Sequence, residues 1–172
     1  MLLNILLVST FSFCPPDTCK LYKVDIKPPA LDILIFKNQY NQFAANDSSS
    51  FQLIYIIHPD LDGGYPNLTY VKAEDDSLSI TQTYKAEIKT RKVDLKSLPD
   101  LEAKISALPN AKYFALCDDP TGQIYQTEII VKRKGEAITS YEGVNAPFFE
   151  RTEEELNPLQ ILLASFLPKS AF

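Results

Sequence analysis

The sequence predicts an α+β fold: a single domain over residues 1–172, mainly an antiparallel β-sheet, with two short helices at about 97–108 and 158–167 packed on it. Three observations carry that expectation. Residues 51–57 are apolar at nearly every position, as a strand covered on both faces requires. From Leu78 onward apolar and polar residues alternate, the signature of a half-buried strand. Leu98, Leu101, Ile105 and Leu108 instead recur at helical spacing.

Taken in order, Leu3, Ile5, Leu7, Phe11 and Phe13 fall on odd positions, which predicts a first strand that Pro15 and Pro16 stop. Residues 19–26 are a second extended segment, ended by Pro28 and Pro29, and residues 31–36 a third. The central strand at 51–57 gives way to a loop over 58–66. In the next strand, Leu78, Ile80, Tyr84, Ala86 and Ile88 share one face, while Thr81, Thr83, Lys85, Glu87 and Lys89 share the other. That polar face explains the local basic stretch without a ligand.

The first helix has Ser97 as its expected cap, Pro99 in its first turn and Pro109 beyond its end. Residues 112–117 and 122–132 read as a hairpin across the Asp118-to-Gly122 turn, and Lys134-Gly135 turns the chain into a strand at 137–141. The last helix, 157–167, has Asn157 as its expected cap, Pro158 at the first helical position and Pro168 as its stop. It is apolar almost all round, so it must be buried, against its own sheet or against another chain.

With 45% hydrophobic and 23% charged residues, nine Tyr and ten Phe, a chain of 172 residues has the material for a sizeable core and needs no staple to fold. Seventeen Lys and Arg against 22 Asp and Glu leave a net charge of −5, the wrong sign for a protein that neutralises phosphates. No nucleic-acid partner is expected. No internal repeat or low-complexity tract divides the chain.

The apolar run at 1–13 is too short to span a bilayer, and no transmembrane segment is expected. As a secretory signal it lacks a basic residue before the run, and Phe11 and Phe13 stand where small residues are wanted. A first strand is the favoured reading, and with it an intracellular or virion location; the signal reading would place the protein in an envelope or outside the cell. Cys14 and Cys19 are too far apart for a redox or zinc motif, and would bridge only in an oxidising compartment. The expectation is three reduced cysteines, with Cys117 buried in a strand.

For a metal, the weak candidates are Asp60 and Asp62, in a loop whose Asp-x-Asp-Gly resembles part of a calcium loop. Counting from Asp60, however, the twelfth position is Val71 rather than a bidentate Glu. The expectation is therefore no metal, no cofactor, and a polar turn at Gly63-Gly64. A single histidine excludes sites built on two imidazoles, and leaves His58, Cys117 and Asp118 as the one conceivable Cys-His-Asp set. Adjacent carboxylates at 75–76, 118–119 and 153–155 lack the separate environments that acid–base chemistry needs.

Two functions follow from these exclusions. The first is a non-catalytic structural or assembly subunit of a large complex or virion, acting through a protein partner or self-association. Its contact residues would be Leu159, Leu162, Leu163 and Phe166 on the last helix, with Phe172 in the tail. The second is a secreted or envelope β-rich protein that binds a small apolar or peptide ligand.

Overall fold

The computed structural model describes residues 19–24, 37–58, 67–85, 87–118 and 126–167. Its elements are β1 (Cys19–Val24), α1 (Lys37–Ala45), β2 (Gln52–His58), β3 (Asn67–Glu74), β4 (Ser77–Tyr84), β5 (Glu87–Asp94), α2 (Leu101–Ser106), β6 (Ala111–Cys117), β7 (Gln126–Arg133), β8 (Glu136–Val144) and α3 (Asn157–Ala164). Short 3-10 turns occur at Leu95–Ser97, Phe148–Glu150 and Glu154–Leu156. The strands among the described residues form one sheet in the order β1-β6-β8-β7-β2-β3-β4-β5. β6 and β8 run parallel, and the other neighbours are antiparallel. The fold is thus α+β and mostly antiparallel. The expected first strand at 1–13 and the extended segment at 31–36 lie outside the described residues.

Strand β2 sits inside the sheet between β3 and β7, which explains why every position from Phe51 to Ile56 is buried. Its odd-numbered residues Leu53 and Tyr55 face a core closed by α2 and α3. Its even-numbered residues Ile54 and Ile56 face α1, whose Phe43 packs with them and with Leu68, Tyr70 and Ile130. Each such buried side chain contributes about 1.5–3 kcal/mol relative to exposure. Helix α1 itself is mostly polar, with Phe43 as its buried anchor, and Lys132 of β7 reaches its end. The Lys132 ammonium donates to the carbonyls of Phe43 at 3.1 Å and Ala44 at 3.3 Å, satisfying last-turn acceptors that the helix leaves free.

Three expectations are corrected. Residues 78–89 are not one strand: the chain turns at Lys85, whose φ is 56°, and β5 returns antiparallel to β4. The turn changes the parity of the alternation, so Ile88 pairs with Thr83 on the face opposite Tyr84. Strands β6 and β7 are not a hairpin, because β8 lies between them. β8 is fixed to β7 by a two-residue turn, Lys134 and Gly135, with φ of 49° and 81°, the left-handed pair that matches strand twist. Its other edge is then free to take β6. Finally, neither expected cap forms. Ser97 donates its hydroxyl to the Asp94 carbonyl, Asp94 caps the 3-10 turn by accepting from the Lys96 amide at 2.8 Å, and Asn157 is already the first helical residue of α3.

Among the described strands, the sheet ends on two different edges. β5 is exposed along nearly its whole length and carries Lys89, Arg91 and Lys92, charges that discourage a further strand from adding. β1 is narrower, and Tyr22 and Val24 stand exposed on the α1 face beside Leu116 of β6.

Candidate functional site

Helix α3 is core. Leu159, Leu162, Leu163 and Phe166 are each no more than 1% exposed, all on the sheet side of the helix, and Phe166 packs on Phe51 with ring centroids 5.9 Å apart. The guanidinium of Arg91 donates to the Phe166 carbonyl at 2.6 Å, and Lys104 of α2 donates to the Ser165 hydroxyl at 2.9 Å. These four residues therefore present no docking face. Of the two places an all-apolar helix can be buried, the structure takes the chain's own sheet. Phe172, Asp60 and Asp62 lie outside the described residues.

The cysteine expectation is corrected as well. Cys19 and Cys117 are directly opposite each other in the β1–β6 ladder, with Cα atoms 4.1 Å apart, and they form a disulfide that closes a separation of 98 residues. Cys117 points into the α2–α3 core, whereas His58 lies on the opposite face, so the Cys-His-Asp set is not assembled. Cys117 also meets Arg151, whose Nη1 lies 3.7 Å from its sulfur. The same guanidinium holds Glu153 with Nε at 3.0 Å and with Nη2. Burial pushes the Glu153 carboxyl up, but these bonds and backbone donors outweigh it and leave it below the usual range.

A cleft opens between α2 and the sheet, with a volume of about 760 Å³. Apolar side chains line part of it: Phe51 and Leu78 from the sheet side, Leu95 and Leu98 from the 3-10 segment, Leu101 and Ile105 from α2. Polar and charged groups line almost as much of it: Arg133, Lys134 and Glu136 around the β7–β8 turn, with Ser50 and with Glu102 and Ser106 of α2. The cleft exists because α2 is only six residues long: Leu101 and Ile105 anchor it to the core, and Leu95 and Leu98 before it stay partly uncovered. The size suits a small ligand, and the lining offers both apolar side chains and charged groups to hold one.

The other face carries a different arrangement. Glu128 of β7 stands opposite Glu142 of β8 and Ile56 of β2. It is 7% exposed; one of its oxygens accepts from the Gln126 amide at 2.9 Å, and the other has no partner among the described residues. Burial pushes its carboxyl up to about 7; Glu142 adds to the shift, and Lys112, which bridges to Glu142 at 3.5 Å, opposes it. His58, next to Gln126 across β2 and β7, is held below its ordinary value by burial. Among the described residues no group of three or more His, Cys, Asp or Glu is placed to hold a metal ion. No described helix is long and apolar enough to cross a membrane.

No family model, characterised protein or solved structure matches this chain. Function must therefore be argued from these sites alone.

Sequence reasoning missed the cleft, because its lining comes from five separate stretches of chain, at 50–51, 73, 78, 95–106 and 133–136. It missed Glu128 for a related reason: a lone Glu in a strand looks like a solvated face until the neighbouring strands are placed. Nothing in the sequence marked Leu95 or Leu98: Leu98 read as part of a helix at 97–108, and only the six-residue length of α2 leaves both partly uncovered.

Proposed function

We propose that the chain is a non-catalytic binding protein and that the cleft beside α2 takes a small, largely apolar ligand. The observation that carries this reading is the cleft itself: an open volume of about 760 Å³ lined by leucine, isoleucine and phenylalanine side chains together with Glu102, Arg133, Lys134 and Glu136. The apolar body of a ligand would displace water from Leu95 and Leu98, gaining on the order of 25 cal/mol per Å² of surface covered. The Cys19–Cys117 disulfide supports a place in an oxidising compartment, where such bonds form and persist, and so favours the secreted or envelope setting over the intracellular one.

The test is fluorescence titration of the 172-residue protein with Nile red, a neutral apolar probe. Saturable binding that is lost in Leu98→Asp and in Ser106→Trp, both folded, supports the cleft. Equal binding in all three proteins overturns it.

A second reading, the assembly subunit, is favoured by one observation of its own. Tyr22, Val24 and Leu116 form an exposed apolar strip on β1 and β6, bordered by Lys20 and Lys112. Such a strip suits a protein partner with an apolar, acid-flanked surface. A molar mass that rises with concentration, and falls back in Leu116→Asp, would favour it.

A further inference from the structure

The bond between Cys19 and Cys117 joins two chemically unequal sulfurs. Cys19 lies on β1, the edge among the described strands, and is partly exposed, whereas Cys117 is 3% exposed and faces the core. The Arg151 guanidinium, itself only 9% exposed, touches the Cys117 sulfur from the inner side. A cation beside a sulfur favours the thiolate, and a sulfur that is a stable thiolate is the better leaving group in thiol–disulfide exchange. Glu153 offsets part of that charge by holding the other nitrogens of the same guanidinium.

We propose that this disulfide is an exchange site for small thiols and dithiols, attacked at Cys19, with Cys117 leaving as a thiolate held by Arg151. The incoming thiolate forms a sulfur–sulfur bond to Cys19, and the Cys19–Cys117 bond breaks with its electron pair going to Cys117. A second thiolate then attacks the mixed disulfide, releasing the oxidised reagent and leaving Cys19 as a thiolate that takes a proton from water. Two electrons pass from the two thiols to the protein.

The fold gives this step a consequence. Among the described strands β1 pairs with β6 alone, so opening the bond leaves β1 held by its backbone ladder, and its release would make β6 a sheet edge. The inference is independent of the cleft and does not depend on any ligand there.

The test uses the 172-residue protein carrying Cys14→Ser, so that the third thiol takes no part. Samples are equilibrated in glutathione buffers of graded ratio, then trapped with iodoacetamide and mapped by peptide mass spectrometry. The mixed disulfide is expected on Cys19. Arg151→Gln is expected to lower the equilibrium constant for reduction by about tenfold, and Glu153→Gln to raise it severalfold, because a nearby charge acts directly on the thiolate. Should Arg151→Gln fail to fold, the Glu153→Gln shift decides alone. Glutathione found on Cys117, or a Glu153→Gln protein that reduces no more readily than its parent, overturns the proposal.

Discussion

Glu128 and Glu142 stand directly opposite each other on β7 and β8, and they share their surroundings unequally. Glu142 has Lys112 as an ion-pair partner, while Glu128 is buried with one oxygen unpartnered among the described residues. Of the two, Glu128 is the carboxyl that burial pushes up to about 7.

Stability should fall as pH rises because of Glu128. Its carboxyl is raised to about 7 in the folded chain against 4.5 for the free group, so between those values the folded state holds a proton that the unfolded state has lost. The contribution is fully present below about 4.5 and is lost as pH rises through about 7. Glu128→Gln should flatten that fall, making the variant more stable than the parent at pH 8 by on the order of 1–3 kcal/mol, with little difference at pH 5. Urea unfolding at the two pH values checks this, and equal slopes with pH for both proteins would contradict it.

Lys132 should be worth more than an ordinary surface lysine. Its ammonium ends on the last-turn carbonyls of α1 and lies 5.2 Å from the Phe43 ring centroid. Lys132→Met keeps the packing and removes the donor, leaving buried acceptors unsatisfied at a cost of about 1–3 kcal/mol. Hydrogen exchange should accelerate first in α1, and uniform acceleration across the sheet would speak against this local role.

Which parts of the fold were legible follows from where the deciding interaction lies. The strands at 51–57 and 78–84 and the helices near 101–106 and 157–164 were readable because their side-chain periodicity is set within the segment. α1 was not, since its residues are polar apart from Tyr40, Phe43 and small alanines, and it is held by Lys132, 87 residues beyond its end. β3 was missed because Asn67 and Thr69 interrupt the face that carries Val71, and Lys72 the face that carries Leu68 and Tyr70, and its position depends on pairing with β2 and β4. The β6–β7 error has the same origin: nothing local tells the turn at 118–122 that β8 will pair with both strands. The disulfide became visible only with the β1–β6 register, because Cys14 is nearer to Cys19 in sequence than Cys117 is.

The placement of α3 makes a prediction about self-association. Leu163→Ala should destabilise the chain by about 2–5 kcal/mol through the cavity it leaves. That cost should not depend on protein concentration, and light scattering should give the same molar mass for parent and variant. A loss of stability seen only at low concentration, with a change in mass, would return the helix to an interface.

The central claim is that the cleft beside α2 binds an apolar ligand, and an amide chemical-shift map of the protein titrated with indole tests it most directly. Saturable shifts are expected, confined to Phe51, residues 95–106 and the β7–β8 turn at Lys134 and Gly135. Shifts gathered instead on β1 and β6 around Tyr22 and Leu116, or none at saturating indole, would contradict it.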